Sequence, residues 1–216
     1  HGTHVAGILS ATTDNGAGMA STVFNGKIIS VKCSIDGQST DDPGIFNGYD
    51  GILYAAKAGF YAGTFTIINN SWGGGGFSNS EQSVVNTSHN TYGAIVVAAA
   101  GNGNDSGGEE YGSHYPSSYE NVISVCAIQC SGSWGGWATY HPTVDLASPG
   151  ESIRSCTGNS SYESWDGSSM ASPVAASVFG LLKSYNMNWN NKIIQTIVLE
   201  TANPIIYNIN TETYLQ

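Results

Sequence analysis

Positive charge is scarce in this chain. Only 6 of its 216 residues are Lys or Arg, against 16 Asp or Glu, so the formal net charge is -10. A surface of that sign repels phosphate backbones and anionic headgroups, which argues against nucleic acid or membrane as a partner. Charged residues of both signs make up 10% of the chain; with its many Gly, Ser and Asn, this describes a loop-rich surface kept soluble by carboxylates, which fits a secreted protein. Long apolar runs are also lacking, and none approaches the length of a membrane span. There is no internal repeat. Cysteine is sparse: Cys33, Cys126, Cys130 and Cys156 could pair in three ways. None has the C-x2-C spacing of a zinc site, so they read as buried thiols or disulfides, with the balance towards at least one disulfide. What the chain does have is a 40% hydrophobic content, enough at this length for one full core and too little for two. One domain is expected.

The hydrophobic periodicity switches repeatedly between helical and extended. A short helix over His1–Ser10 meets the turn signal Asp14-Asn15-Gly16. Lys27–Cys33 is β-branched and predicts a buried strand. Ile45–Ala58 has helical spacing, with Gly59 placed as its stop. Thr64–Ser71 predicts a strand, Ser80–Thr91 a helix, and Ala94–Ala100 a strand apolar on both faces, which belongs at a sheet centre. Further strands are expected at Asn121–Ile128, Val144–Ala147 and Glu151–Cys156. A long helix follows from Ser169, disturbed near Pro173, and a last one covers Asn190–Thr201. Strands alternating with helices indicate an α/β domain with a mostly parallel sheet covered on both faces. Ligands of such sheets bind beyond the carboxyl ends of the strands, where the turns after Ser71 and at Gly101-Asn102 both emerge.

Three short motifs carry candidate chemistry, and each has a structural explanation of its own. Ser169, between Gly167-Ser168 and the helical run Met170-Ala171-Ser172-Pro173, is placed either to cap a helix or to act as a nucleophile favoured by the helix N-terminus. His1 can be a capping residue or a base. Asn102, after Gly101, can be a turn residue or an amide donor. Serine acyl transfer needs all three kinds of group: a hydroxyl, an imidazole to take and return its proton, and donors aimed at the developing oxyanion.

In order along the chain, His1-Gly2-Thr3-His4-Val5-Ala6-Gly7, Ile67-Ile68-Asn69-Asn70-Ser71-Trp72-Gly73-Gly74, Ala98-Ala99-Ala100-Gly101-Asn102 and Gly167-Ser168-Ser169-Met170-Ala171-Ser172-Pro173 resemble the blocks of subtilisin-like serine proteases. The resemblance covers nearly the whole chain, and such blocks in this order are hard to obtain by chance. It implies a three-layer α/β/α fold and a serine endopeptidase acting on protein or peptide substrates, extracellular and monomeric, with a pro-segment in the parent. It implies His1 as general base and then acid, Ser169 as nucleophile, and the Asn102 amide with the Ser169 N-H as oxyanion hole. Ser71, Trp72 and Gly73 would pair with extended substrate backbone, and Ala99, Ala100 and Gly101 would line the primary specificity pocket. His4 is implied to be structural, and Ser168, where the family usually has Thr, to be the nucleophile's neighbour.

The family's triad aspartate precedes its histidine and has no counterpart here. Asp14, Asp36, Asp41 and Asp42 lie in turn-rich stretches after His1 and are explained by turn chemistry. With no signal peptide before His1, the chain is expected to begin inside a gene product and to form a single partial peptidase domain over residues 1–216, lacking the Asp-bearing part and the closing C-terminal segment. Alone it is expected to be inactive or severely impaired, since losing that aspartate costs subtilisin about 3 × 10⁴ in kcat. The alternative is a non-catalytic peptide-binding homologue; a small-ester hydrolase is a third reading. No cofactor is needed for the chemistry. Many relatives bind structural calcium, but Asp105, Glu109 and Glu110 match no specific motif and read as a solvated acidic loop, so no metal ligand is assigned.

Overall fold

The computed structural model describes residues 1–24, 26–39, 44–104, 106–204, 206–209 and 212–215. Helix α1 (Gly2–Ser10) is followed by α2 (Gly48–Tyr61), β1 (Ile67–Asn70), α3 (Asn79–Asn90), β2 (Ile95–Ala99), the short β3 (Glu110–Tyr111) and β4 (Val122–Ile128). Then come β5 (Thr139–Tyr140), β6 (Leu146–Pro149), β7 (Ile153–Cys156), β8 (Tyr162–Trp165), α4 (Ser168–Tyr185) and α5 (Asn191–Thr201). The chain closes with β9 (Ile206–Ile209) and β10 (Glu212–Leu215), an antiparallel pair.

Strands β1, β2, β4 and β6 form a parallel sheet in the order β1-β2-β4-β6. Strand β2 fixes the layers. Its residues are buried throughout, and they divide by parity: Ile95 and Val97 join Phe179, Ala171, Ala175, Ala176 and Ile194 of α4 and α5, whereas Val96 and Ala98 join Ile52, Ala56 and Val85 of α2 and α3. This is the alternation of a strand covered on both faces. The fold is thus a three-layer α/β/α sandwich. Because Asn70 stands beside Ala98 in a parallel register, β1 and β2 release Ser71 and Gly101-Asn102 at the same edge of the sheet.

The expected strand at Lys27–Cys33 does not form. The segment forms neither helix nor strand, and Ile28 and Ile29 are exposed. β-Propensity describes a side chain that suits a pleated surface, and a strand still needs a neighbour; β1, at the sheet edge, pairs only with β2 among the described residues. Helix α2 runs past Gly59 to Tyr61. It stops at Gly63, where φ is +67° and the N-H groups of Gly63 and Thr64 close onto the carbonyls of Phe60 and Gly59. Gly59 is instead a close approach, since a methyl there would collide with Thr66 Oγ1. All four cysteines are thiols, so the expected disulfide is absent: Cys33 faces Gly51 of α2, Cys156 faces Gly7 of α1, and Cys126 is buried in β4. Strand β7 has an antiparallel partner, β8, that periodicity did not reveal.

Candidate active site

Ser169 stands in the first turn of α4, half-buried, one residue after the buried Ser168. The turn is set by Gly167, the N-cap, at φ +152° and ψ +152°. An L side chain rarely adopts that conformation, which explains the glycine before the serine pair. The Gly167 N-H donates to the Gly150 carbonyl at 2.8 Å, which ties the start of α4 to the end of β6.

Ser168 orients Asn102. Its N-H and its hydroxyl both donate to Asn102 Oδ1, each at 2.8 Å, and its Oγ accepts from the Gly101 N-H at 3.2 Å. A backbone N-H can only donate, so Oδ1 must face α4 and Nδ2 is left as a donor on the exposed side of the residue. Asn102 also lines a hollow of about 250 Å³ with Trp137 and Asp166.

Ser71 meets Ser169 on the other side. The Ser71 hydroxyl donates to the Ser169 carbonyl at 2.7 Å, and Ser169 Oγ donates to the Ser71 carbonyl at 3.3 Å. The carbonyl of Ser169 needs an outside donor because the residue four positions on is Pro173, which has no N-H. This localises the expected disturbance at Pro173, and α4 continues through it to Tyr185. Asn69 Nδ2 donates to Ser71 Oγ at 2.9 Å, and the buried Ser172 donates to Asn69 Oδ1 at 2.7 Å, so the sheet edge and the helix start are cross-linked.

His1 caps α1, which packs on α4 and β7. Its exposed imidazole makes no hydrogen bond to Ser169, or to any carboxylate, among the described residues. Asp14 is exposed in a turn at φ +57° and Asp36 pairs with Lys32, so neither supports His1; Asp41 and Asp42 lie outside the described residues. His4 is fully buried and stacks on Trp165 at 4.3 Å, with 6° between the ring planes. Its Nε2 lies 3.1 Å from the Glu163 carbonyl oxygen, and burial lowers its pKa, so it is a neutral packing residue.

A family model described as the subtilase family matches residues 1–214. The chain belongs to the subtilase family. It is 36% identical over 205 residues to thermitase of Thermoactinomyces vulgaris, covering 95% of this chain and 68% of thermitase. It is 34% identical over 201 residues to an extracellular protease of Xanthomonas campestris, covering 85% of this chain and 32% of that protein. The solved structure of sphericase superposes with a TM-score of 0.81 at 25% identity, covering 94% of this chain and 69% of sphericase. The class is that of subtilisin-like serine proteases, hydrolases whose chemistry needs no cofactor. Among the described residues of this subtilase, no three His, Cys, Asp or Glu are grouped to hold a metal ion; Asp105 lies outside them.

In this subtilase the structure brings together Ser71, Asn102, Ser168 and Ser169. Trp72, half-buried, packs edge-on against Tyr49 at 5.5 Å. Ala99 and Ala100 are buried, with relative exposures of 3% and 1%, so their methyls offer little surface to a ligand. The sequence reading assigned no role to Ser168 as the group that orients Asn102, nor to the exchange between Ser71 and Ser169. Pro173 was the available signal for the latter, since it leaves Ser169 with an unpaired carbonyl.

Proposed function

We propose that the full-length protein is a secreted serine endopeptidase that hydrolyses peptide bonds of protein substrates through an acyl-enzyme on Ser169. The observation that carries this reading is the Ser168 clamp on Asn102, which holds a side-chain amide donor beside a hydroxyl at a helix N-terminus. Ser169 Oγ attacks the scissile carbonyl carbon while His1 takes its proton. The new oxyanion accepts from Asn102 Nδ2 and the Ser169 N-H, donors fixed before the charge develops. As the C–N bond breaks, His1 returns the proton to the leaving amine, and water then releases the acyl group by the same route.

Substrate backbone in this reading pairs along Ser71, Trp72 and Gly73, and the side chain before the cut enters between this segment and Ala99, Ala100 and Gly101. The aspartate that orients His1 belongs to a segment outside residues 1–216, which makes this chain one part of the peptidase domain. Extracellular location agrees with the printed name of the Xanthomonas relative. The protein works as a monomer, and a pro-segment precedes the mature enzyme. A fluorophosphonate probe should label Ser169 in the folded full-length protein and leave Ser169→Ala unlabelled. A folded protein that does not react would count against this function.

A further inference from the structure

The two segments proposed to hold substrate are separated by an imidazole. A methyl built on Gly73 would collide with Nε2 of His114, and one built on Gly101 would stand 3.5 Å from His114 Cγ. The ring therefore lies against both glycines, and larger residues at Gly73 would displace it. Its position is built into the fold. The His114 N-H donates to Ser118 Oγ at 3.0 Å, the His114 carbonyl accepts from the Ser118 N-H at 2.7 Å, and the Gly74 N-H donates to the Tyr115 carbonyl at 2.9 Å. The ring nitrogens make no hydrogen bond among the described residues. Burial lowers the pKa of the ring, with the Glu110 carboxylate opposing, so the imidazole is neutral at pH 7 and offers one donor and one acceptor.

We infer that His114 determines side-chain selectivity at the cleft, favouring a short carboxamide side chain such as Asn on the acyl side of the cut over a large apolar one such as Phe. This rests on the endopeptidase reading above. The two ring nitrogens point away from each other, so a carboxamide pairs with one of them, and it can do so in either tautomer because it carries both a donor and an acceptor. An aromatic side chain would leave that nitrogen unpaired and would compete with the ring for space. A site with polar groups to satisfy discriminates against a ligand that cannot pair them more sharply than an apolar pocket discriminates by size.

The test uses the full-length protein with peptide anilides of sequence Ala-Ala-Ala-X, where X is Asn, Leu or Phe, after active-site titration with the fluorophosphonate. The expected result is a kcat/KM for Asn about tenfold or more above that for Phe, reversed in His114→Ala and retained in His114→Gln. Labelling of Ser169 with Phe preferred, or with the same ranking in His114→Ala, overturns this inference while the endopeptidase function stands. Absence of labelling in the folded protein overturns both. If His114→Ala does not fold, the ranking in the unmodified protein and in His114→Gln decides.

Discussion

Ser71 and Ser169 exchange hydroxyl-to-carbonyl hydrogen bonds across the junction of sheet and helix, at 2.7 and 3.3 Å. The shorter bond replaces the intrahelical donor that Pro173 cannot supply, so a loop serine and a helix proline act as one unit. The longer one fixes where the Ser169 hydroxyl points, towards the Ser71 carbonyl.

That unit is testable by a double-mutant cycle. Ser71→Ala leaves the Ser169 carbonyl without its partner and should destabilise the protein by about 1–3 kcal/mol. Pro173→Ala restores an amide that can bond that carbonyl, so the loss on Ser71→Ala should be smaller in this background. Denaturant unfolding of the four proteins measures the coupling, expected at about 0.5 kcal/mol or more; additive effects would show that the two residues are independent.

Ser168 is expected to act on catalysis only through Asn102. In the full-length protein, Asn102→Ala should lower kcat by about 10²–10³, the size of one lost oxyanion donor. Ser168→Ala keeps the N-H clamp and loses the hydroxyl one, so its loss of kcat should be smaller, with KM little changed. In an Asn102→Ala background Ser168→Ala should have almost no further effect on kcat. Steady-state kinetics of the three variants decides between this orienting role and a packing one.

Acid should weaken the docking of α5 through His89. The buried His89 faces Asn191, whose Nδ2 lies 3.3 Å from Nδ1 and donates to the His89 carbonyl at 3.0 Å. Nδ1 must accept there, so protonation would set two donors against each other, and Lys192 adds like charge. Burial first, then Lys192, hold the pKa below its ordinary 6.5. Because the folded value is depressed, the unfolded chain binds the extra proton first: stability is complete above about pH 6.5 and falls as pH drops below it. Thermal melts from pH 8 to pH 5 should show this loss, and His89→Gln should reduce it.

A polypeptide of residues 1–216 alone should turn over peptide anilides at least about 10⁴-fold more slowly than the full-length protein, since no carboxylate among the described residues bonds His1. Equal rates in the two proteins would show that His1 needs no partner from outside this chain.

Much of the fold was legible because the signals were local. The apolar run Ala94–Ala100, short and bounded by Gly93 and Gly101, reads as a strand buried on both faces and forms β2, and α3, α4 and α5 form within two residues of where periodicity and caps place them. Lys27–Cys33 shows the limit: its side chains suit a strand, but pairing depends on a neighbour that no window of sequence contains. Strand β8, Tyr-Glu-Ser-Trp, with two polar residues at its centre, lacked the apolar alternation that would have marked it as the partner of β7.

The sequence by itself determined the chemistry of the groups, namely a serine at a helix start, an asparagine after a strand and a histidine at the head of a helix. The tertiary structure decided which atoms of those groups are committed. It turned Asn102 by giving Oδ1 two donors from Ser168, supplied the Ser169 carbonyl from Ser71, and set His114 against Gly73 and Gly101. Those contacts join residues far apart in the chain, and a hydrogen bond or a close approach depends on distances of a few ångströms that composition and periodicity do not encode.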